Sequence, residues 1–505
     1  MSTRAVEVEN DVYGNITKPG LSGILGLPLG ISLLGVPMIV LVIACMVKQW
    51  YLAAFLVAVL SVVAAVLTVV TQKQGRSIYG RLMLKFMQRR KEKAGKHVYI
   101  GGPTGRTREG SVRLPGMMAR SELTEHEDPY GNKFGLIRLV GPGVKNYSVV
   151  IEAYPDGDDL VDQRRVNSMV AHWGAWLAQR GVDEGIRGAS VTIESAPDTG
   201  LRLQQLMESN TTNEASAFSR EVAESIPREY SGGAPVLTTR LTVTFSGGSF
   251  DGRGKDRGTK EMADEIATRL PVILSGLFDT GAGTSVRMCT AQDIIDNTRT
   301  AYDPTTAAQI EEARAAEGTG LSWEDAGPVF AIDAFDHYRH DRGFSKSWTM
   351  WEGPRGHFHS DSLRRLLEPV NGVLRKRVTL LYRPIPAARA TELAERGIKD
   401  STFAASQKHG VSPKAQQRYA AAVKSAAEEA QGAGFVRFGM IVTVSVDDPG
   451  KFYRLDQQIP ALVNHARLRI RPALGNQAVT FQAGLPLGMV LPDHMTLPDE
   501  LRDWF

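Results

Sequence analysis

Two long stretches without a charged residue, close together near the start of the chain, constrain this sequence more than any other feature. No Asp, Glu, Lys or Arg lies between Lys18 and Lys48, and a second uncharged stretch runs from Lys48 to Lys73. Each stretch exceeds the roughly 20 residues that a helix needs to cross a bilayer. A charged residue at mid-bilayer would cost about 2.5–3.5 kcal/mol, so charges placed only at the ends favour membrane helices over two buried helices of a soluble protein. We therefore predict a transmembrane helical hairpin over 21–72.

The residues that flank the two stretches fit this prediction. The link Lys48-Gln49-Trp50-Tyr51 is short enough for a tight turn and holds two aromatic residues, which are enriched at membrane–water interfaces. Residues 1–20 are polar and mixed in charge, unlike the start of a secretory signal peptide. We expect an uncleaved cytoplasmic tail at 1–20, followed by the hairpin.

Positive charge is concentrated directly after the second stretch. The chain as a whole carries +4, whereas residues 73–96 hold nine basic residues against the single acidic Glu92. The positive-inside rule places this segment, and with it both termini, in the cytoplasm. Apolar residues interleave with the basic ones at helical spacing, so we predict a juxtamembrane helix over 73–96, near anionic headgroups, with a solvated helix face as the alternative. Its basic residues, here called the basic collar, are Lys73, Arg76, Arg81, Lys85, Arg89, Arg90, Lys91, Lys93 and Lys96.

The remaining residues, 97–505, read as folded domains. Strand-like and helix-like segments alternate from Phe134 onwards, which predicts an α+β or mixed α/β fold, without recognisable related halves. Residues 97–132 read as irregular, 478–483 as a strand and 303–325 as a linker. Residues 134–140 and 147–153 read as strands separated by Gly141-Pro142-Gly143, and residues 291–302 read as a helix. We therefore predict two or more cytoplasmic α/β domains behind the hairpin, divided as 97–310 and 311–505.

Motifs for nucleotide or peptide chemistry are weak. A phosphate-binding loop needs Gly, four residues, then Gly-Lys-Ser/Thr, and the nearest candidate, Gly252-Arg253-Gly254-Lys255-Asp256, has the wrong register and ends on a carboxylate. Two Asp-Thr-Gly triplets begin at Asp198 and Asp279, and paired triplets of this kind form the shared-proton carboxylates of aspartic proteases. A membrane-anchored aspartic protease is therefore an alternative, although helix capping explains both triplets as well.

Metal and nucleic-acid sites are also weakly indicated. His337 and His340, and His357 and His359, form two short clusters among arginines, which disfavour a cation. The two cysteines, Cys45 and Cys289, are too few for a disulfide framework or a four-cysteine metal site. Residues 97–505 are net negative, which disfavours phosphate contacts, and direct nucleic-acid contact stays an open alternative. We expect no catalytic residues, no cofactor and no metal, and hence not an enzyme.

The C-terminal region resembles a known family. The strand Gly434–Val446, the helix Lys451–Asn464, the strand Leu468–Pro472 and the stretch Phe481-Gln482-Ala483-Gly484-Leu485-Pro486-Leu487-Gly488 are similar to the non-motor region of the conjugation and type IV secretion ATPases of the CagE/TrbE type. The hairpin resembles the small two-span, PrgI-like membrane subunits that accompany those ATPases. Together they resemble actinobacterial conjugation proteins in which such a hairpin is joined to a motor-less copy of that region.

The resemblance implies a function without ATPase residues, since no nucleotide loop follows Gly488. It implies a non-enzymatic inner-membrane scaffold of a conjugative DNA-transfer or type IV-like secretion apparatus. Its implied partners are the bilayer, a separate secretion ATPase and other membrane secretion subunits, in an oligomeric assembly. A type VII secretion component of the EccE kind has the same plan and is the second alternative.

Overall fold

The computed structural model describes residue 13 and residues 29–69, 76–102, 113–155, 157, 160–183, 185–210, 216–230, 235–248, 254–354, 358–406, 413–430, 432 and 434–495. The described chain is a mixed α/β structure, as predicted. Its helices are α1 (Leu29–Val47), α2 (Tyr51–Val69), α3 (Ile78–Lys93), α4 (Gln163–Val182), α5 (Leu201–Asn210), α6 (Ala217–Tyr230), α7 (Thr259–Ser275), α8 (Ala291–Tyr302), α9 (Ala307–Ala315), α10 (Arg364–Leu367), α11 (Ala387–Ser406), α12 (Pro413–Ala430), α13 (Phe452–His465) and α14 (Gln477–Ala483).

The strands form one large sheet. They are β1 (Val98–Ile100), β2 (Ser121–Glu127), β3 (Lys133–Gly141), β4 (Val144–Ala153), β5 (Ile186–Pro197), β6 (Pro235–Ser246), β7 (Val286–Met288), β8 (Phe330–Asp333), β9 (Tyr338–His340), β10 (Gly343–Glu352), β11 (Arg375–Pro384), β12 (Val436–Val446) and β13 (Arg469–Pro472). The 13-stranded sheet has the order β1-β8-β9-β10-β12-β11-β5-β6-β4-β3-β2, with β13 paired to β10 and β7 paired to β4.

The sheet is continuous across the boundary predicted at residue 310. The strands β5 and β11, one from each side of that boundary, pair antiparallel from Lys376↔Ser195 to Tyr382↔Ala189. Residues 303–325, expected to be a linker, contain the helix α9. The division into domains at 97–310 and 311–505 stays a prediction.

Helices cover both faces of the sheet. On one face, α4 and α7 bury Trp176, Ile266 and Leu270 against the strands of the first half, and α13 packs against β10, β11 and β12. On the other face, α8 and α14 share a core that contains Tyr302 and Phe481. A protein with apolar side chains on both faces of its sheet needs these two helical layers to remove them from water.

The order of elements is repeated once. The succession β3-β4-α4-β5-α5-α6-β6-α7-β7-α8 is followed by β9-β10-α10-β11-α11-α12-β12-α13-β13-α14, and each strand of the second set pairs as its counterpart does in the first. Ser148 Oγ lies 3.0 Å from Thr244 Oγ1. The same pair recurs an equal number of positions later, with Ser347 Oγ 2.9 Å from Thr443 Oγ1. The expectation that the chain has no related halves is therefore wrong at the level of topology.

Two local expectations are also wrong. Residues 478–483, predicted as a strand, form the helix α14, and residues 121–127, within the segment read as irregular, form the strand β2. In α14 the consecutive residues Thr480 to Ala483 are all buried, so the segment shows no polar face from which a helix is recognised.

Candidate membrane-facing surface

The helices α1 and α2 turn large apolar side chains outward. Ile39, Leu52 and Phe55 are 62%, 78% and 66% exposed. The two helices meet through small or flexible groups, since Ala54 is buried and Ser61 Oγ lies 3.1 Å from Met38 Sδ. Within the described part of the chain, no helix combines the length and the apolarity that crossing a membrane requires.

The helix α3 follows, and side chains at both of its ends stabilise it. At its start the Ser77 hydroxyl accepts a hydrogen bond from the Gly80 amide, which caps an otherwise unpaired backbone donor. Its last turn holds Arg90, Lys91 and Lys93, whose charges oppose the negative end of the helix dipole. The sequence therefore favours a helix that ends within the basic collar.

One face of α3 is fixed to the sheet. The buried Gln88 donates to the Asp333 carbonyl oxygen at 3.0 Å, and Lys91 pairs with the Asp333 carboxylate. The other Asp333 oxygen accepts from the Ala478 amide at 3.1 Å. This single aspartate at the end of β8 therefore joins α3 to α14.

The opposite face of α3 is exposed and divided along its length. Tyr79, Leu82, Met83 and Phe86 are between 42% and 61% exposed, at the i, i+3, i+4, i+7 spacing that places them on one side of a helix. The turns after them carry the exposed basic residues of the last part of the helix. The outer face of α3 is thus apolar nearest α2 and positively charged farther along.

The basic collar is mostly exposed where the structure describes it. Lys85, Arg89, Arg90, Lys93 and Lys96 are exposed, and Arg76, Arg81 and Lys91 are partly buried. Burial and the nearby Arg471 lower the pKa of Arg76. Lys73 lies outside the described residues.

His340, from the first histidine cluster, lies in the packed interior. His340 is buried, with Nδ1 facing the Tyr302 carbonyl and Nε2 2.7 Å from Ser345 Oγ. Because a carbonyl only accepts, Nδ1 carries the proton and Nε2 accepts from the serine. Burial lowers the pKa of His340 to about 4, so the ring is neutral.

The other histidines offer little for a metal. His337 contacts Asp336 at 2.9 Å, His359 is exposed, and His357 lies outside the described residues. Among the residues that the structure describes, no group of three or more His, Cys, Asp or Glu side chains is placed to hold a metal ion.

The residues of the two Asp-Thr-Gly triplets and of the candidate phosphate-binding loop stabilise local turns and contacts. Asp198 accepts from the Gly200 amide at 3.2 Å in the turn before α5, and Asp279 lies in a short 3-10 turn before Gly281. Asp256 accepts from Arg138 and from the Tyr147 hydroxyl. Gly252 and Arg253 lie outside the described residues.

A buried charge network in the sheet was not predicted. Glu194 on β5 accepts from Arg375 and Arg377 on β11, and the positive charges around it lower its pKa to about 2 although burial opposes the shift. The three consecutive basic residues Arg375-Lys376-Arg377 resemble a solvated strand edge in the sequence. The only signal of burial is the apolar run that continues the same strand.

Comparison of the chain with protein-family models and with curated proteins finds no match in either.

Proposed function

We propose that the chain is a membrane-anchored, non-enzymatic scaffold, with α1 and α2 as the two arms of a hairpin in the inner membrane of a bacterium. The observation that carries this proposal is the outward exposure of large apolar side chains along α1, α2 and the first half of α3. Contiguous exposed apolar surface of this kind marks a membrane or a protein interface. The sequence favours the membrane, because no charged residue interrupts either arm between Lys18 and Lys73 apart from Lys48 at the turn.

The helix α3 supports a fixed attachment of the folded region to the bilayer surface. Its apolar outer residues follow the second arm, and its exposed lysines and arginines come next. That order places apolar groups at the acyl boundary and positive charges at anionic headgroups. Each lysine or arginine near the headgroups contributes up to about 1 kcal/mol to membrane binding. The contacts of Gln88 and Lys91 with Asp333 transmit this orientation to the sheet.

The scaffold's proposed setting is a conjugative DNA-transfer or type IV-like secretion apparatus, with a separate ATPase docked on the sheet region. This part of the proposal rests on the resemblance of residues 434–488, where strand, helix and strand succeed one another before the Phe481–Gly488 stretch. Other membrane secretion subunits complete the proposed oligomeric assembly.

Membrane anchoring is tested by fractionation of cells that express the full chain. We expect the protein in the membrane pellet after alkaline carbonate extraction, with the region behind α3 degraded by protease only in inverted vesicles. Leu56→Arg on α2 should shift the protein toward the soluble or aggregated fraction. Tyr453→Arg, which changes a residue 80% exposed on the folded region, is the matched control. Wild-type protein released by carbonate would refute the anchor.

The setting is tested by co-purification from detergent-solubilised membranes of the native host. A type IV-like ATPase in the eluate supports the proposal. A type VII-like ATPase would replace it with the second alternative. If no ATPase co-purifies even after cross-linking in cells that express the protein at its native level, docking is refuted.

A further inference from the structure

Each half of the sheet carries two helices inserted between neighbouring strands. In the first half α5 and α6, here called the first insertion, follow β5, which ends at Pro197, and lead into β6, which begins at Pro235. In the second half α11 and α12, here called the second insertion, stand in the equivalent place between β11 and β12. Because β5 and β11 pair antiparallel, the two insertions leave the sheet at opposite ends of its central strands.

The second helix of each insertion exposes the same apolar pattern. On α6, Phe218 is 76% exposed and Val222 is 42% exposed. On α12, Tyr419 is 46% exposed and Val423 is 41% exposed. Residues four positions apart lie on one side of a helix, and each pair stands the same number of residues before the strand that follows its insertion. The two insertions therefore present matching apolar patches at equivalent positions.

In the second insertion the patch faces away from the neighbouring helix. The helices α11 and α12 pack along each other, and small side chains are buried in them, Ala394 on α11 and Ala421 on α12. At 3.6 residues per turn, Ala421 lies on the opposite side of α12 from Tyr419 and Val423. The exposed pair is therefore not required for the packing of the two helices.

The two insertions carry opposite net charges. Residues 201–230 hold three basic and five acidic residues, whereas residues 387–430 hold seven basic and five acidic residues. The first insertion is therefore net negative and the second is net positive. Two insertions of the same kind repel each other, while a first and a second insertion attract each other. Charge favours a contact between unlike insertions.

We propose that the occupant of each patch is a second copy of this chain, bound head to tail. Phe218 and Val222 of one copy pack against Tyr419 and Val423 of the next. Burial of the apolar side chains supplies the attraction, and the opposite charges select the unlike insertion as the partner.

This contact lets an assembly grow. A single chain does not satisfy its own patches, because its two insertions leave opposite ends of the sheet's central strands. Two copies joined head to tail still present one insertion of each kind, so further copies add until a ring closes or a filament forms. The inference goes beyond the proposed function, since it requires neither a membrane nor an ATPase.

The direct test cross-links the two insertions in intact cells. The full chain, in a Cys45→Ala background that leaves only the buried Cys289, carries either Ser219→Cys or Ala420→Cys. Both positions are exposed and next to the aromatic residue of their patch, so the patches stay intact. The two variants bear different tags, are co-expressed and are treated with a short bismaleimide. We expect a dimer that contains both tags.

Each cysteine variant expressed alone should give little dimer, because a head-to-tail contact does not bring two identical positions together. Ser275→Cys, at an exposed position at the end of α7, replaces Ala420→Cys in the matched control and should give no dimer with both tags. If residues 219 and 420 do not cross-link, or if each variant cross-links to itself as strongly, the proposal is overturned.

A second test uses complementation between damaged copies. Phe218→Ala with Val222→Ala removes the first patch, and Tyr419→Ala with Val423→Ala removes the second. With a lysine-reactive cross-linker, the wild type should give a ladder that extends beyond the dimer. Each double variant alone should lose roughly tenfold or more of the cross-linked species. An equal mixture should regain the dimer and nothing larger, because each copy keeps one intact patch.

The exposure of all four positions makes the double variants suitable for this test, and urea unfolding should show wild-type stability for both within about 1 kcal/mol. A wild-type chain that stays monomeric, or a mixture that regains no dimer, would refute the head-to-tail contact. Carbonate extraction of the same cells reports on the membrane anchor separately, so the failure of one proposal is distinguishable from the failure of the other.

Discussion

Single residues show how the interior of this protein pairs its polar groups with one another. His340 donates to a carbonyl and accepts from Ser345, and Ser345 Oγ lies 2.7 Å from Ser445 Oγ. Burial favours the neutral imidazole here, with Nδ1 donating to the carbonyl and Nε2 accepting from the Ser345 hydroxyl. The sequence indicated a surface histidine among arginines, and it gave no sign that the neighbouring strands enclose the ring.

The pH dependence of stability follows from this residue. The folded-state pKa of His340 is lowered to about 4, below the value of about 6.5 in an unfolded chain. Its contribution to stability is therefore fully present above about pH 6.5 and is lost as the pH falls from there toward 4, by up to about 1.4 kcal/mol per pH unit. Urea unfolding of wild type and His340→Gln should show a smaller loss between pH 7 and pH 5 in the variant. His359→Gln, at an exposed position, should follow the wild type, and parallel curves for all three would contradict this assignment.

Gly488 is a second residue with a testable geometric requirement. Its φ is +71°, and a Cβ there would lie 2.1 Å from Ser148 Oγ and 2.5 Å from Thr244 Oγ1. We expect Gly488→Ala to lower the free energy of unfolding by about 2–4 kcal/mol, from overpacking and backbone strain together. Gly131→Ala shares the left-handed backbone, φ +83°, with nothing near its Cβ, and should cost only about 1–2 kcal/mol. Equal losses in urea titrations would show that the segment Gly484–Gly488, here called the strap, does not lie against β4 and β6.

At the scale of elements, prediction from sequence succeeds where a pattern is local and fails where burial is set by distant segments. The strands β3 and β4 were predicted because apolar runs flank Gly141-Pro142-Gly143, and the structure pairs the two strands around that turn. The helix α8 was predicted with its observed bounds, and a capping box at Thr290 and Asp293 fixes its start. The helix α14 was mistaken for a strand because contacts with the sheet and with α8 bury nearly all of its residues, which removes the helical period.

The attachment of α3 is a property of that element and can be loosened by one change. Lys91→Met leaves the Asp333 carboxylate, 8% exposed, without its cation, and we expect a loss of about 1–2 kcal/mol because the lysine is itself partly solvated. Hydrogen exchange of residues 78–93 should accelerate in this variant. Lys93→Met removes the same charge from an exposed position and should leave exchange unchanged. Equal acceleration in both variants would mean that the total positive charge of α3, rather than the ion pair with Asp333, attaches the helix to the sheet.

At the scale of the whole molecule, two equivalent halves share one sheet, and sequence reading did not find them. Equivalent positions keep few residues in common: Ser148 and Thr244 match Ser347 and Thr443, whereas Tyr147 stands where the second half has Lys346. Topology can persist in this way because a sheet requires only alternating burial at most positions. The membrane arms, in contrast, stay a prediction that rests on the absence of charged residues between Lys18 and Lys73 except at Lys48.

The shared sheet predicts that the halves stay together when the chain is cut. A protease site inserted after Gly318, an exposed glycine in the segment after α9, should be cleaved without separating the fragments. The β5–β11 pair and the strap both cross between halves, so a single peak is expected in size-exclusion chromatography of the detergent-solubilised protein. Separation into two folded fragments would instead support independent domains at 97–310 and 311–505.

The strap has a consequence for the order in which this protein matures on the ribosome. The Thr244 hydroxyl donates to the Gly488 carbonyl, and the Thr379 hydroxyl donates to the Gly484 carbonyl. Every strand beneath these contacts is translated before the residues that cover it. The apolar helices α1 and α2 therefore leave the exit tunnel while the polar side chains at this part of the sheet are still uncovered. The sheet can be covered here only after residues 484–488 have emerged.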